Sequence, residues 1–139
     1  MKNKTYELIE HTADIGIRVK GADFKELFKN AALAMFDIIA QKEKATGRPR
    51  ETKINQKADD LEELFINWLN ELLSLSATKE LIFAGFKINK LDDKTLQAVA
   101  TGTNIKNYKV NTEIKAATYH ELEIRKSNSG WEAKVIFDV

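Results

Sequence analysis

Asp14-Ile15-Gly16-Ile17-Arg18-Val19-Lys20 runs through Gly21-Ala22-Asp23 into Phe24-Lys25-Glu26-Leu27-Phe28, and the hydrophobic period changes on the way. Over residues 14–20 apolar and polar side chains alternate, with Ile15, Ile17 and Val19 facing inward and Gly16, Arg18 and Lys20 outward. That is the period of a strand. From Phe24 onward, Phe24, Leu27, Phe28, Ala31, Met35, Ile38 and Ile39 recur every three or four positions, the stripe of an amphipathic helix. Asp23 precedes it with Glu26 three residues on, a capping arrangement for the exposed N–H groups of the first turn. A second helix repeats the pattern: Asp60 and Glu63 cap it, and Leu61, Leu64, Phe65, Trp68, Leu69, Leu72 and Leu73 share one face.

Outward from these segments the chain alternates like strands. Residues 4–10 pair with 14–20, and a short strand near 51–57 bridges the helices. Residues 80–91 and 95–101 form a hairpin around Leu91-Asp92-Asp93-Lys94-Thr95, and 110–125 with 131–138 form another around Ser127-Asn128-Ser129-Gly130. The expected order, ββαβα and then four strands, is an α+β fold: a mostly antiparallel sheet with two amphipathic helices packed on one face. A single domain over residues 1–139 suits that length. The only proline, Pro49, lies in the segment 41–50, read as a loop and not as a boundary between domains.

Composition excludes several classes. Lys and Arg number 22 against 21 Asp and Glu, a net charge of +1, which argues against a protein whose main task is to coat nucleic acid. The chain has no cysteine, so disulfides, thiolate zinc sites and thiol catalysis are out together. No apolar run approaches the roughly 18 residues that span a membrane. Met1-Lys2-Asn3-Lys4 leads into an alternating segment and not into a signal-peptide core. The expectation is a cytoplasmic protein that engages neither membrane nor DNA. No Gly-rich phosphate loop precedes either helix, and there is no serine nucleophile elbow.

Asp138-Val139 at the chain end carries a side-chain carboxylate beside the α-carboxylate, and the strand-like run 131–137 holds that tip in place. Parity puts Asp138 with Glu132 and Lys134, Asp14 with Arg18 and Lys20, and Lys115 with Glu113, Glu121 and Glu123. If one sheet face is covered and no bulge intervenes, Asp14, Lys115 and Asp138 all project from the open face. Periodicity does not bring them together. Taken alone, Asp14 fits a turn aspartate, Asp138 a solvated end residue and Lys115 an exposed strand lysine. If the carboxylates converge they must take up protons, bind a cation or recruit a lysine. Oxygen-only ligands suit Ca²⁺ or Mg²⁺ better than Zn²⁺. His11 could ligate, cap or merely pack, whereas the parity of His120 with Ile114, Leu122 and Ile124 predicts a half-buried, hydrogen-bonded side chain.

Five blocks of the sequence carry a resemblance. They are His11-Thr12-Ala13-Asp14-Ile15-Gly16; Ala31-Ala32-Leu33-Ala34-Met35-Phe36; Asp60-Leu61-Glu62-Glu63-Leu64 leading to Trp68-Leu69-Asn70-Glu71-Leu72-Leu73; Thr112-Glu113-Ile114-Lys115-Ala116-Ala117-Thr118-Tyr119-His120; and Val135-Ile136-Phe137-Asp138-Val139. In this order, over essentially the whole chain, they resemble the archease family. The chain departs from it at Gly102-Thr103, where the family often has Gly-Glu, and no role is assigned there. The resemblance implies an α+β accessory protein, not an enzyme, that assists the GTP-dependent tRNA-splicing RNA ligase. Such proteins promote guanylylation of the ligase's active-site histidine, allow multiple turnover and broaden nucleotide use. It also implies a divalent cation, Ca²⁺ or Mg²⁺ with Mn²⁺ admitted, held by Asp14, Asp138 and the Val139 carboxylate. Lys115 matches a family lysine tied to activation, and RNA is met only indirectly, through the ligase.

Two other readings stay open. One is a stand-alone metal-dependent hydrolase using Asp14 and Asp138. The other is a general chaperone or RNA-binding adaptor using the segment 41–53, where Lys42, Lys44, Arg48, Arg50 and Lys53 outnumber Glu43 and Glu51.

Overall fold

The computed structural model describes residues 6–10, 14–44 and 47–139. Strands β1 (Tyr6–Glu10) and β2 (Asp14–Gly21) precede helix α1 (Phe24–Ile39). Then come β3 (Ala40–Lys42), β4 (Arg50–Lys57) and helix α2 (Leu61–Lys79). The hairpin β5 (Leu81–Leu91) and β6 (Thr95–Asn104) leads through a 3-10 turn, Ile105–Asn107, to β7 (Tyr108–Val110). Strands β8 (Ala116–Ser127) and β9 (Gly130–Asp138) end the chain.

Both helix starts obey the expected chemistry. The Asp23 carboxylate accepts from the Glu26 N–H at 2.9 Å and Asp60 from the Glu63 N–H at 2.8 Å. Glu26 and Glu63 in turn accept from the N–H groups of Ala22 and Asp59. The two aspartates each satisfy a donor that the first helical turn leaves without an intrahelical partner, and the two glutamates hold the backbone just ahead of the cap.

The fold is α+β with antiparallel pairing throughout, but its strands divide into three sheets: β1-β2-β9-β8, β4-β6-β5 and the ribbon β3-β7. Helix α1 lies against β2 and β5, and α2 against β8, β5 and β4, so both helices fill the space between the two larger sheets. The apolar faces meet in one cluster around Trp68, Phe28, Phe65, Phe83 and Phe137. Trp68 is fully buried and its indole N–H donates to the Phe28 carbonyl at 2.9 Å, tying α2 to α1.

Two expectations are corrected. The segment 110–125 is not one strand. Asn111 and Thr112 donate to the Ile39 carbonyl at the end of α1, which pins residues 111–115 to the helix and separates β7 from β8. Within β8 the pairing with β9 then slips between Thr118 and Glu123, where Glu121 takes a left-handed conformation with φ 53. Such a bulge rotates the strand and breaks any parity carried across it. The three-residue strands β3 and β7 are too short for alternation to reveal them. The segment 41–50, expected to be loop, is strand at both ends: Gln41 and Lys42 belong to β3 and Arg50 opens β4. Among the described residues no helix is long and apolar enough to cross a membrane.

Candidate functional site

The site grows from β9. This strand lies between β2 and β8, so the chain end is hydrogen-bonded on both sides. In register, Asp14 faces Asp138 across the β2–β9 ladder, and Ala116 faces Asp138 across β8–β9. Directly opposed antiparallel residues have Cα atoms about 4.5–5.5 Å apart and side chains on the same face. Asp14 and Asp138, at opposite ends of the sequence, are therefore immediate neighbours.

Lys115 is exposed and stands in the connection just before β8. Its backbone N–H donates to the Asp138 carbonyl at 2.8 Å, closing the last link of the tip. The parity that joined Lys115 to Glu121 and Glu123 does not hold, because 111–115 is not strand and β8 is bulged. Val139 follows Asp138 with 37% exposure.

The next row inward on the same sheet face explains how the tip is held. Gly16 faces Ile136, and a Cβ on Gly16 would come within 2.7 Å of the Ile136 Cδ1. Glycine thus leaves room for Ile136, which is 1% exposed yet stands on the sheet face turned away from the helices. The Thr118 hydroxyl donates to the Ile136 carbonyl at 2.8 Å. On the other sheet face, the Asn70 amide of α2 clasps β8: its Nδ2 donates to the Ala117 carbonyl at 3.1 Å, and its Oδ1 accepts from the Ala117 N–H at 2.8 Å. One side chain therefore satisfies both backbone groups on the outer edge of β8. Gly16, Ile136, Thr118 and Asn70 went unassigned in the sequence. Only Gly16 carried a signal, since glycine inside an alternating strand marks a close approach.

His120 is exposed and its Nε2 lies 3.1 Å from Glu121 Oε2, which corrects the half-buried expectation: the bulge turns it out of the parity of Leu122 and Ile124. Glu121 also binds Lys134 at 3.0 Å. Tyr119 is 55% exposed; partial burial, then the charges of Glu63, Asp60 and Glu62 at the start of α2, raise its phenol above the ordinary value. His11 and its neighbours Thr12 and Ala13 lie outside the described residues.

The donor set suits a hard cation. Like charges directly opposed on neighbouring strands destabilise the pair, and a divalent cation shared by the two carboxylates reverses that sign. Asp14, Asp138 and the Val139 carboxylate would supply the oxygens. Among the described residues no group of three or more His, Cys, Asp or Glu side chains is placed to hold a metal ion, so at the tip the two aspartates would need the Val139 carboxylate as a third ligand.

Comparisons with known proteins follow the same outline. The Archease protein family matches residues 6–139. A protein archease from Methanosarcina barkeri is 39% identical over 144 residues, covering 99% of this chain and 98% of that protein. The solution structure of a Methanobacterium thermoautotrophicum protein superposes with TM-score 0.75 at 33% identity, over 99% of this chain and 100% of that one. The crystal structure of an archease from Thermotoga maritima, described as a "possible chaperone", gives TM-score 0.68 at 25% identity over 94% of each chain. On sequence and on architecture alike, the chain belongs to the archease family.

Proposed function

We propose that this protein is an accessory activator of the GTP-dependent tRNA-splicing RNA ligase, acting through the acidic tip at the end of β9. The observation that carries the reading is the register pairing of Asp14 with Asp138, locked from the far side by the Lys115 N–H. It turns a chain end into a rigid anionic probe backed by the packed side chain of Ile136. A tip of that shape suits insertion into another enzyme's cleft. The coarse role of partner protein also accords with the chaperone description of the Thermotoga maritima relative.

In this reading Asp14, Asp138 and the Val139 carboxylate hold a divalent cation, Ca²⁺ or Mg²⁺ with Mn²⁺ admitted. When bound, such an ion reduces the repulsion between triphosphate oxygens and an incoming nucleophile. The protein's own residues position the tip: Gly16 admits Ile136, Thr118 fixes the backbone at Ile136, and Asn70 anchors β8 to α2. Lys115, exposed and tied to Asp138 through its backbone N–H, would offer its ammonium to phosphate or to an acidic group of the ligase. The consequence is faster guanylylation of the ligase histidine, with no turnover by this chain itself. A cysteine-free chain suits the reducing cytoplasm in which the activator would act.

The test is label transfer from GTP to a cognate ligase, with and without this protein, in Mg²⁺, Mn²⁺ and Ca²⁺. Asp138→Ala or deletion of Val139 should abolish stimulation while unfolding stability changes by less than about 0.5 kcal/mol, as for exposed positions generally. Full stimulation by either variant would refute the role of the tip. Hydrolysis of a phosphoester by this protein without ligase would favour the hydrolase reading instead.

A further inference from the structure

The β4-β6-β5 sheet covers the helices with one face and leaves the other open. Thr52, Ile54, Leu96, Ala98, Ala100 and Phe86 point to the core. The opposite parity builds the outer face, and the register makes it explicit. Lys53, Val99 and Lys87 form one row; Asn55, Gln97 and Lys90 form the next; Lys57 and Thr95 follow. The bulge between Ile88 and Lys90 is what brings Lys90 onto this face beside Gln97.

All four lysines are exposed, and among the described residues none of them forms a salt bridge. Glu51 shares this face, opposite Thr101 in the row beside Lys53, while Asp92 and Asp93 stand in the β5–β6 turn. Asp92 is already engaged, accepting from the N–H groups of Lys94 and Thr95 and from the Thr95 hydroxyl. Four lysines on the face thus stand against one carboxylate, Glu51, with the Asp92 charge near Lys90 at the turn end, and the face keeps a net positive charge.

From this face we infer a binding surface for the phosphodiester backbone of single-stranded RNA. The choice follows from what the face contains and lacks. Protein interfaces favour aromatic residues, Met and Arg at their centre and are depleted in Lys. Here the centre is Val99, half-buried, surrounded by lysines and amides, with no aromatic or arginine side chain in these rows. Lysine is a mobile point charge that suits phosphates at variable positions. The absence of aromatic side chains removes base stacking, so recognition is of backbone and not of sequence. The Asn55 and Gln97 amides both donate and accept, as a ribose 2′-hydroxyl requires. Lys53 and Lys87 are two strand spacings apart, about 10 Å, and Lys53 and Lys57 about 13 Å, a footprint on the order of four phosphates. This inference goes beyond the ligase reading, in which RNA is reached only through the partner, and does not depend on the acidic tip.

Lysines on edge strands such as β4 and β5 also discourage edge-to-edge pairing of sheets, and the test separates the two roles. Fluorescence anisotropy of a labelled oligouridine is measured against this protein at rising salt. Four contacts at about −0.7 each give a log–log slope near −3, so affinity should fall about 50-fold between 50 and 200 mM salt. The variant carrying Lys53→Glu, Lys57→Glu, Lys87→Glu and Lys90→Glu keeps a charge at every edge position. It should stay monodisperse and lose RNA binding. The same four positions changed to Gln provide a milder variant should the reversal fail to fold, and should flatten the salt slope. No salt-sensitive binding by the unaltered protein, undiminished binding by a folded variant, or tighter binding of polyglutamate than of RNA would each overturn the proposal. Guanylylation without RNA is read in parallel: it should survive the lysine changes, and its failure in the unaltered protein would refute the tip while leaving the anisotropy result intact.

Discussion

The open faces of the two larger sheets are both charged, yet they are built in opposite ways. On the β1-β2-β9-β8 sheet the charges neutralise one another. Arg18 reaches Glu132 at 3.4 Å and Glu123 at 4.0 Å, Arg125 reaches Glu132 at 3.3 Å, and Lys134 reaches Glu121 at 3.0 Å. On the β4-β6-β5 sheet Lys53, Lys57, Lys87 and Lys90 stand without such partners. Exposed ion pairs contribute little to stability, about 0–1 kcal/mol each. The difference therefore bears on what each surface attracts. One face carries paired charges; the other offers a diffuse positive field.

The most severe way to break the comparison is to remove the core that both faces share. Trp68→Ala should cost about 3–5 kcal/mol, measured by urea unfolding, and should loosen both sheets together, because Trp68 also packs edge-on against Phe86 of β5 with ring centroids 5.8 Å apart. Asn70→Ala acts on one side only. It leaves the outer-edge N–H and carbonyl of Ala117 without their clasp, at about 1–3 kcal/mol. Hydrogen exchange should rise in β8 and not in β4 to β6.

A smaller effect concerns the seam between β1 and α1. The Tyr6 hydroxyl donates to Asp37 Oδ2 at 2.6 Å, and burial, then that hydrogen bond and the Asp37 charge, push the phenol well above its ordinary value. The folded state thus retains the Tyr6 proton more tightly than the unfolded chain does. Its contribution is complete below the unfolded value near 10 and is lost as pH rises beyond it. Tyr6→Phe should cost about 1 kcal/mol at neutral pH and flatten the alkaline decline in urea titrations. The smallest change in stability, less than about 1 kcal/mol, is expected of Glu132→Gln, yet it sharpens the comparison most. By weakening the hold on Arg18 and Arg125 it should give the paired face weak, salt-sensitive RNA binding in the background of the four lysine reversals. Anisotropy unchanged from that background would show that ion pairing does not set the contrast.

Local pattern was enough to reveal both helices, their caps and the turns of both hairpins, since each depends on residues within a few positions of one another. Asp23 with Glu26 and Asp60 with Glu63 are such cases. It also set the outward parity of Asp14 on β2 and of Asp138 on β9, because a strand's period is local. What it did not reach was anything that depends on register between remote strands. That Asp14 meets Asp138 follows from β9 inserting between β2 and β8. That Lys115 closes the tip through its backbone follows from the Ile39 carbonyl holding residues 111 and 112, which no alternation records. The left-handed Glu121 turned His120 outward. The sequence by itself determined which residues prefer core or solvent, a matter of side-chain transfer and short-range hydrogen bonds. Only the tertiary structure decided which charges find partners and which are left to bind something else, because pairing depends on distances between segments the chain brings together only when it folds.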